Sequence, residues 1–451
     1  MKKLREQLLF PYTELQNISA TEGDVIKNQS NDMLLDDYAF HKWYRFVLSY
    51  PPHLVRTYLK DFGISDGATV LDPFCGTGTT IVEAKRNGIQ GIGLEANPFP
   101  YFACSVKVDW SIDPDELMDR ALEIAEHTLL ALKASGIDDN ALFSKNNIDL
   151  RFLNPDASKL LIRDSISPLP LHKTLVLLEY LKQYADQPCY KYGVLALGSA
   201  LVNSIGNLRF GPEVGVGKKK KDMPVVKLWL AEVQKMVNDL QSVAGIKPPE
   251  CFVYAVDSRN LTRVLTPNSI DCVITSPPYP NEKDYTRTTR LESVVLGFIR
   301  DKAELRGFKQ SLLRSNTRGV YKADQDDLWV ANHAEIQRIA KEIEERRIAL
   351  GKTSGFEKLY GRVTKLYFGG MARHFSELSS TLRPGAKLAY VVGDQASYLQ
   401  VMIRTGQLLA DVAERIGYRV ERIDLFRTRF ATATQEELRE EVVVLQWPGK
   451  K

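Results

Sequence analysis

Apolar and polar positions follow two regimes along this chain. Short apolar runs bounded by turn residues predict strands, and longer stretches with apolar positions three and four apart predict helices. Ala68-Thr69-Val70-Leu71 predicts a buried strand, Asp72 to Thr80 a tight glycine-bearing turn, and 81–87 a helix. In that helix Ile81, Val82 and Ala84 are the apolar or small positions, Glu83, Lys85 and Arg86 the charged ones, and Gly88 the stop. Gly91-Ile92-Gly93-Leu94-Glu95 predicts a second strand ending in an acid. The segment is a βαβ half-unit of the kind found in nucleotide-binding α/β sheets.

The pattern then changes. Asp113-Pro114-Asp115-Glu116 predicts a helix start, with Leu117, Ala121, Ile124, Ala125, Thr128 and Leu132 following at helical spacing. Residues 171–185 and 192–205 are apolar without strand alternation and 225–243 is another amphipathic candidate, so the block is expected to be a mostly helical insertion. Within it, Gly211 to Lys221 predicts a basic, glycine-rich loop. Strand signals return at 252–257 and 270–275. A second insertion, about 286–364, has a charged helix at 334–349 as its clearest element. Strands are expected at 387–393, 418–425 and 441–447, with a helix near 402–416. The expected divisions are 1–110 (cofactor-binding part of the catalytic domain), 111–249 (helical insertion), 250–285 (catalytic turn), 286–364 (second insertion) and 365–451 (end of the catalytic domain).

Composition narrows the class. The 451 residues carry 60 Lys+Arg against 56 Asp+Glu, a net charge of +4, with 44% hydrophobic residues. That is globular composition, with length enough for one large core bearing insertions or for two to three domains. It argues against an arginine-rich nucleic-acid binder while leaving room for a local basic groove. No run approaches the roughly 20 apolar residues of a membrane helix, and the basic start has no apolar run of signal-peptide length, so a cytoplasmic protein with no membrane partner is expected. The five cysteines (75, 104, 189, 251 and 272) are scattered, with no C-x-x-C pair and no His at ligand spacing. Neither a disulfide framework nor a metal site is expected.

Two turns carry candidate chemistry. In Asp72-Pro73-Phe74-Cys75-Gly76-Thr77-Gly78-Thr79-Thr80, glycines between strand and helix let backbone approach a ligand closely. No Lys-Ser or Lys-Thr makes it a P-loop, and the full G-x-G-x-x-G is missing, so by itself it is either a ligand site or a structural turn. Glu95, at the end of the second strand, could accept ribose hydroxyls or be a solvated strand-end acid. Asp257 could accept an adenine amine or simply form a turn before Ser258. The second turn, Thr275-Ser276-Pro277-Pro278-Tyr279, follows an apolar strand. Its prolines fix the backbone, so carbonyls and a hydroxyl could accept the N–H bonds of a planar amine while Tyr279 stacks on its face. Alone, it reads rather as a proline turn with a packing tyrosine.

Together the two turns resemble those of the S-adenosylmethionine-dependent amino-methyltransferases of DNA, which pair Asp-Pro-Phe-x-Gly-x-Gly-Thr-Thr with Ser/Asn/Asp-Pro-Pro-Tyr/Phe/Trp. Phe40-His41-Lys42-Trp43-Tyr44 and Ser49-Tyr50-Pro51-Pro52-His53-Leu54-Val55 are similar to the family's segment that closes over the methionine end of the cofactor. Asp257-Ser258-Arg259-Asn260-Leu261 is similar to its adenine-contacting strand end. The resemblance covers about 40–110, 250–290 and 365–447. It implies a Rossmann-like class I methyltransferase α/β sheet, mostly parallel with its last strand antiparallel, interrupted by the helical insertion and by a second insertion after the catalytic turn. It implies S-adenosyl-L-methionine held by Lys42, Trp43, Asp72, Pro73, Phe74, Gly76, Thr77, Gly78, Thr79, Thr80, Glu95, Asn97, Asp257 and Ser258, and catalysis by Ser276, Pro277, Pro278 and Tyr279. The serine variant is most familiar where the N4 amine of cytosine is methylated, and Asn or Asp where the N6 amine of adenine is. The long block between Glu95 and Asp257 departs from the family pattern, so either insertion could read DNA.

The expected partner is double-stranded DNA, with cognate restriction or phage-defence subunits implied by the resemblance only. Phosphate-gripping candidates are Lys218, Lys219, Lys220 and Lys221, then Arg287, Arg290, Arg314, Arg318 and Lys322. Competing readings are an RNA base methyltransferase and an inactive methyltransferase fold serving as a DNA-binding subunit. A C5-cytosine mechanism would need a cysteine nucleophile. Pro188-Cys189 lies in the helical insertion, away from any core strand, and does not suit that role.

Overall fold

A computed structural model describes residues 33–46, 49–140, 149–211, 213–431 and 436–449. The basic start of the chain, 1–10, lies outside them. The strands are β1 (Thr69–Asp72), β2 (Gln90–Leu94), β3 (Leu208–Phe210), β4 (Val214–Val216), β5 (Phe252–Tyr254), β6 (Ile270–Thr275), β7 (Leu382–Gly393), β8 (Arg419–Ala431) and β9 (Glu436–Gln446). Seven of them form one sheet, in the order β5-β2-β1-β6-β7-β9-β8. The pairs β1–β2, β1–β6, β2–β5 and β6–β7 are parallel, whereas β9 runs antiparallel between β7 and β8. This is the Rossmann-like methyltransferase arrangement.

Alternate residues of the central strands supply both faces. Leu71, Val273, Leu388, Tyr390 and Val443 point to one side, under the helices Tyr360–Ser379 and Thr405–Ile416. Val70, Cys272, Ile274, Val391 and Val444 point to the other, against Pro52–Asp61 and Ala84 of Thr79–Arg86. Burial on both faces explains why the parallel strands are continuous apolar runs.

The first insertion is helical as expected: Pro114–Ala134, Pro168–Lys182, Cys189–Ala200 and Val225–Ser242 enclose Tyr192 and Trp229. The Asp113 carboxylate accepts from the Asp115 and Glu116 N–H groups and caps the first of these helices. The expected basic loop differs, because its first part belongs to the β3–β4 hairpin, with Leu208 opposite Val216 and Phe210 opposite Val214. The insertion core is continuous with Phe99 and Ala103 of the helix Pro98–Lys107, which follows β2. In the second insertion, Ala334–Ala349 matches the expected helix, while Tyr360–Ser379 runs across the expected boundary at 364. Among the described residues no helix is long and apolar enough to cross a membrane.

Candidate active site

The strand order brings the two turns together. The chain leaves β1 toward β2 and β5, then returns to place β6 on the other side of β1. The crevice at the carboxyl ends of β1 and β6 is therefore a topological switch point, where open α/β sheets bind ligands. The glycine turn leaves β1 there and the Ser-Pro-Pro-Tyr turn leaves β6. Both line one cavity of about 350 Å³.

Hydrogen bonds lock the two strand ends in register. Asp72 is fully buried: Thr275 Oγ1 donates to Oδ1 (2.5 Å), as does the Phe74 N–H (3.0 Å), and the Tyr50 hydroxyl donates to Oδ2 (2.9 Å). Burial pushes its pKa up to about 6 against these donors. Thr80 Oγ1 donates to the Ile274 carbonyl (3.0 Å), a second tie between the helix start and β6. Asp72 and Thr80 thus brace the cavity from beneath and do not line it. Gly76 and Gly78 adopt φ of 51° and 87°. At Gly78 a Cβ would lie 2.5 Å from Cys104 Sγ, so the turn has room only for glycine.

Pro73, Phe74, Gly76, Thr77, Thr79, Glu95, Asn97, Asp257 and Ser258 all line the cavity. Glu95 accepts from the Gly76 N–H (3.0 Å) and the Asn97 N–H (2.6 Å), tying the glycine turn to the end of β2. Burial raises its pKa to about 7. Asn97 is buried and its Oδ1 has no partner, an acceptor of the kind a bound hydroxyl or amine satisfies. The residues therefore suit a ligand with hydroxyl and amino groups. Asp257 forms a turn as well as lining the cavity. It caps the turn Ser258–Arg263 through the Arg259 N–H and holds the Arg259 guanidinium (2.7 Å), which also pairs with Asp326. Neutral His374, its pKa lowered to about 4 by burial, donates from Nδ1 to the Ser258 carbonyl (3.0 Å) and accepts from the Tyr390 hydroxyl (2.6 Å). Its ring stands edge-on to Phe74 at 5.0 Å, so it supports both Phe74 and the Ser258 turn.

Two expected cofactor residues lie elsewhere. Lys42 is exposed over the Tyr38 ring. Trp43 is buried in the insertion core, and its indole N–H donates to Asp239 (2.8 Å), which also accepts from the Phe40 N–H (2.9 Å). The same N-terminal segment instead sends Phe46, Ser49 and Tyr50 to the cavity. Buried Lys107 donates to the carbonyls of Thr77 (2.8 Å) and Tyr44 (3.2 Å), joining that segment to the glycine turn. Burial lowers its pKa to about 8.

Ser276, Pro277, Pro278 and Tyr279 line the other side. The Ser276 hydroxyl donates to the Val391 carbonyl on β7 (3.0 Å), which leaves its lone pairs as acceptors. Tyr285 OH receives the Tyr279 N–H (3.1 Å) and holds the turn. Asn281, Lys283, Tyr285, Gln395, Arg429 and Glu440 also line this side, and the sequence patterns had not singled them out.

The expected phosphate-binding cations divide. Lys220 donates to the Ser204 and Gly206 carbonyls (2.6 Å each), so it is structural, and Lys219 pairs with exposed Asp164. Lys218 and Lys221 are exposed. Arg314 is buried in a fork on Asp324, and Arg290 is held by Thr286. Arg287 and Arg318 face a small adjoining pocket, shared with the β3–β4 hairpin and with Lys283 at the mouth of the main cavity. Lys322 is exposed. Cys189 lies at the start of an insertion helix and not on the cavity.

The sheet and its two-turn crevice have the arrangement of the Rossmann-like methyltransferase fold. Residues 11–101 match a family model described as DNA methylase. The chain is 27% identical to type II methyltransferase M.BsoBI of Geobacillus stearothermophilus, covering 94% of this chain and 86% of that protein. It is 22% identical to type II methyltransferase M.AvaI of Nostoc sp., covering 88% and 82%. Among solved structures, the rRNA methyltransferase aviRa of Streptomyces viridochromogenes aligns over 90% of this chain and 88% of its own at 10% identity, with a TM-score of 0.32. These likenesses support an amino-methyltransferase family for the chain.

Proposed function

We propose that this protein transfers a methyl group from S-adenosyl-L-methionine to the exocyclic amine of a base flipped out of double-stranded DNA, with cytosine N4 favoured over adenine N6. The observation that carries the reading is the Ser276 hydroxyl, which donates its hydrogen to Val391 and so keeps its lone pairs as acceptors at the lining of a cavity shared with the glycine turn. The lone pair of such an amine is delocalised into the ring. Ser276 Oγ and the Pro277 carbonyl accept its two N–H bonds and draw the nitrogen toward tetrahedral geometry, which frees that lone pair. Tyr279 stacks on the extruded base.

When bound, the cofactor supplies a sulfonium methyl to an in-line displacement. The chain's own work is positioning and exclusion of water. Glu95 and Asn97 offer acceptors to the cofactor's hydroxyl and amino groups, Gly76 and Gly78 give backbone room, and Asp72 with Thr275 holds the two turns at fixed separation. The serine of the second turn supports cytosine N4. Of the expected cations, Lys218, Lys219, Lys221, Arg287, Arg318 and Lys322 are left for DNA phosphates, drawn from both insertions. The relatives' descriptions as type II methyltransferases support a modification role beside a cognate nuclease.

The test is Ser276→Ala and Tyr279→Ala, singly and together, in cofactor titration and in methyl transfer to duplex DNA. The reading expects retained cofactor binding with transfer lost in the double variant. Full transfer by the double variant overturns it.

A further inference from the structure

The carboxyl end of β7 adjoins the catalytic turn, and one amide there has no part in the mechanism above. Gln395 is buried, with 3% of its surface exposed, and lines the cavity. Its backbone is pinned by a bridge to Ile403: the Gln395 N–H donates to the Ile403 carbonyl (3.1 Å), and the Ile403 N–H donates back (2.7 Å). The side chain is oriented too, because Nε2 donates to the Gly393 carbonyl (3.3 Å). Only the amide nitrogen can make that bond, so the amide's orientation is settled and one further N–H remains on Nε2.

This amide stands beside the proposed base site. A Cβ built on Gly393 would lie 3.1 Å from Tyr279 Cε2 and 3.6 Å from Gln395 Nε2, so the tyrosine ring and the amide flank the same glycine. Two residues earlier, Val391 receives the Ser276 hydroxyl. One short stretch of β7 and its exit thus holds the amine acceptor, the stacking ring and an oriented N–H donor. Replacing Gly393 would separate them by filling the space between ring and amide.

We infer that Gln395 is a specificity-determining residue whose spare N–H is donated to the ring nitrogen next to the target amine. This inference rests on the proposed base-methylation reading and deepens it. The chemistry selects a class of base. Cytosine N3 and adenine N1 are bare acceptors beside an amine, whereas thymine N3, and guanine N1 on the Watson–Crick edge, carry hydrogens and would meet the amide as donor against donor. Ser276 then tests for the amine, and Gln395 tests for the acceptor beside it.

The experiment uses the full chain, duplexes carrying the normal target base, and duplexes whose target has that ring nitrogen replaced by C–H (3-deazacytosine or 1-deazaadenine). Wild type, Gln395→Ala and Gln395→Glu are compared, with cofactor binding measured for each as a check of folding. On wild type, the deaza target is expected to lower kcat/KM roughly 10-fold, the worth of one buried hydrogen bond and its orphaned partner. Gln395→Ala should show a similar loss on the normal target and almost no further loss on the deaza target. Gln395→Glu, which keeps an acceptor but has no N–H, should not recover activity. Equal wild-type rates on normal and deaza targets overturn the inference without recourse to any variant. So does a full deaza penalty persisting in Gln395→Ala. No methylation of any DNA by wild type overturns the underlying reading and this one with it.

Discussion

Replacing Glu95 by Gln tests the cofactor side of the cavity most sharply. The wild-type carboxylate accepts two backbone N–H bonds, from Gly76 and Asn97, and has lone pairs left for a ligand's hydroxyls. Glutamine keeps the shape but turns one oxygen into an NH2, which either faces one of those backbone N–H groups or turns from acceptor to donor toward the ligand. Loss of a hydrogen bond to a charged acceptor is worth about 1.5–3 kcal/mol, or roughly 10–150-fold in affinity. The pH dependence supplies an independent sign. Burial holds the ligand-free carboxyl at about pKa 7, so below that it carries a proton and has lost acceptor strength. A ligand whose hydroxyls donate to the carboxylate favours the ionised form, so wild-type affinity for S-adenosyl-L-methionine should fall as pH drops from 8 to 6. Calorimetric titration at both pH values should show that decline in wild type and a weak, nearly flat affinity in Glu95→Gln. Equal affinity of the two proteins, with no dependence on pH, would refute the assignment of Glu95.

Four further sets of substitutions probe separate parts of the account. Gly78→Ala places a Cβ against Cys104 Sγ in a left-handed backbone, so it should lose about 1–2 kcal/mol to conformation and more to the clash. Adding Cys104→Ala should restore only the clash part in urea unfolding, and full restoration would contradict the backbone argument. Lys220→Ala should lower stability by about 1 kcal/mol through its lost carbonyl contacts. Charge reversal at Lys218, Lys219 and Lys221 should leave stability intact while flattening the salt dependence of DNA binding, so an unchanged salt slope removes that loop from the DNA surface. Buried Glu292 accepts from Tyr44 OH (2.5 Å), its other oxygen has no partner, and burial raises its pKa to about 7. Because the folded pKa exceeds the unfolded value, its contribution is present at low pH and is lost as pH rises from about 4.5 through 7. Glu292→Gln should therefore gain stability relative to wild type between pH 6 and 8, and parallel denaturation curves at the two pH values would dismiss this.

Much of the sheet and both turns were legible in the sequence because their signals are local. The parallel strands are short apolar runs, and Gly76, Gly78 and the Pro277-Pro278 pair mark turns whose backbone few other residues allow. What escaped reading depends on partners far along the chain. Trp43 lies beside cavity residues in sequence, yet Asp239 of a distant helix captures its indole N–H. The β3–β4 hairpin carried a readable signal, apolar residues at alternate positions around Gly211, but the lysines after it made the stretch look like a loop. The outer halves of β8 and β9 are charged, so they lack an apolar run. Their pairing is visible only in three dimensions, with Arg427 bonded across to Glu440 (2.7 Å). Pro384 and Gly385 mark a turn in sequence, and β7, which starts at Leu382, carries it as a bulge: its pairing with β6 jumps from Leu382 to Lys387, with Gly385 at φ 88°. Gln395 follows a strand with no motif around it, and only the fold places it beside Tyr279.

The central claim is most directly measured by incubating the purified chain with duplex DNA and methyl-labelled S-adenosyl-L-methionine, digesting the product and separating the nucleosides. The account predicts label in N4-methylcytosine, abolished by the Ser276→Ala, Tyr279→Ala double variant. Label in N6-methyladenine would overturn the choice of base, and DNA left unlabelled while RNA takes the methyl group would contradict the claim itself.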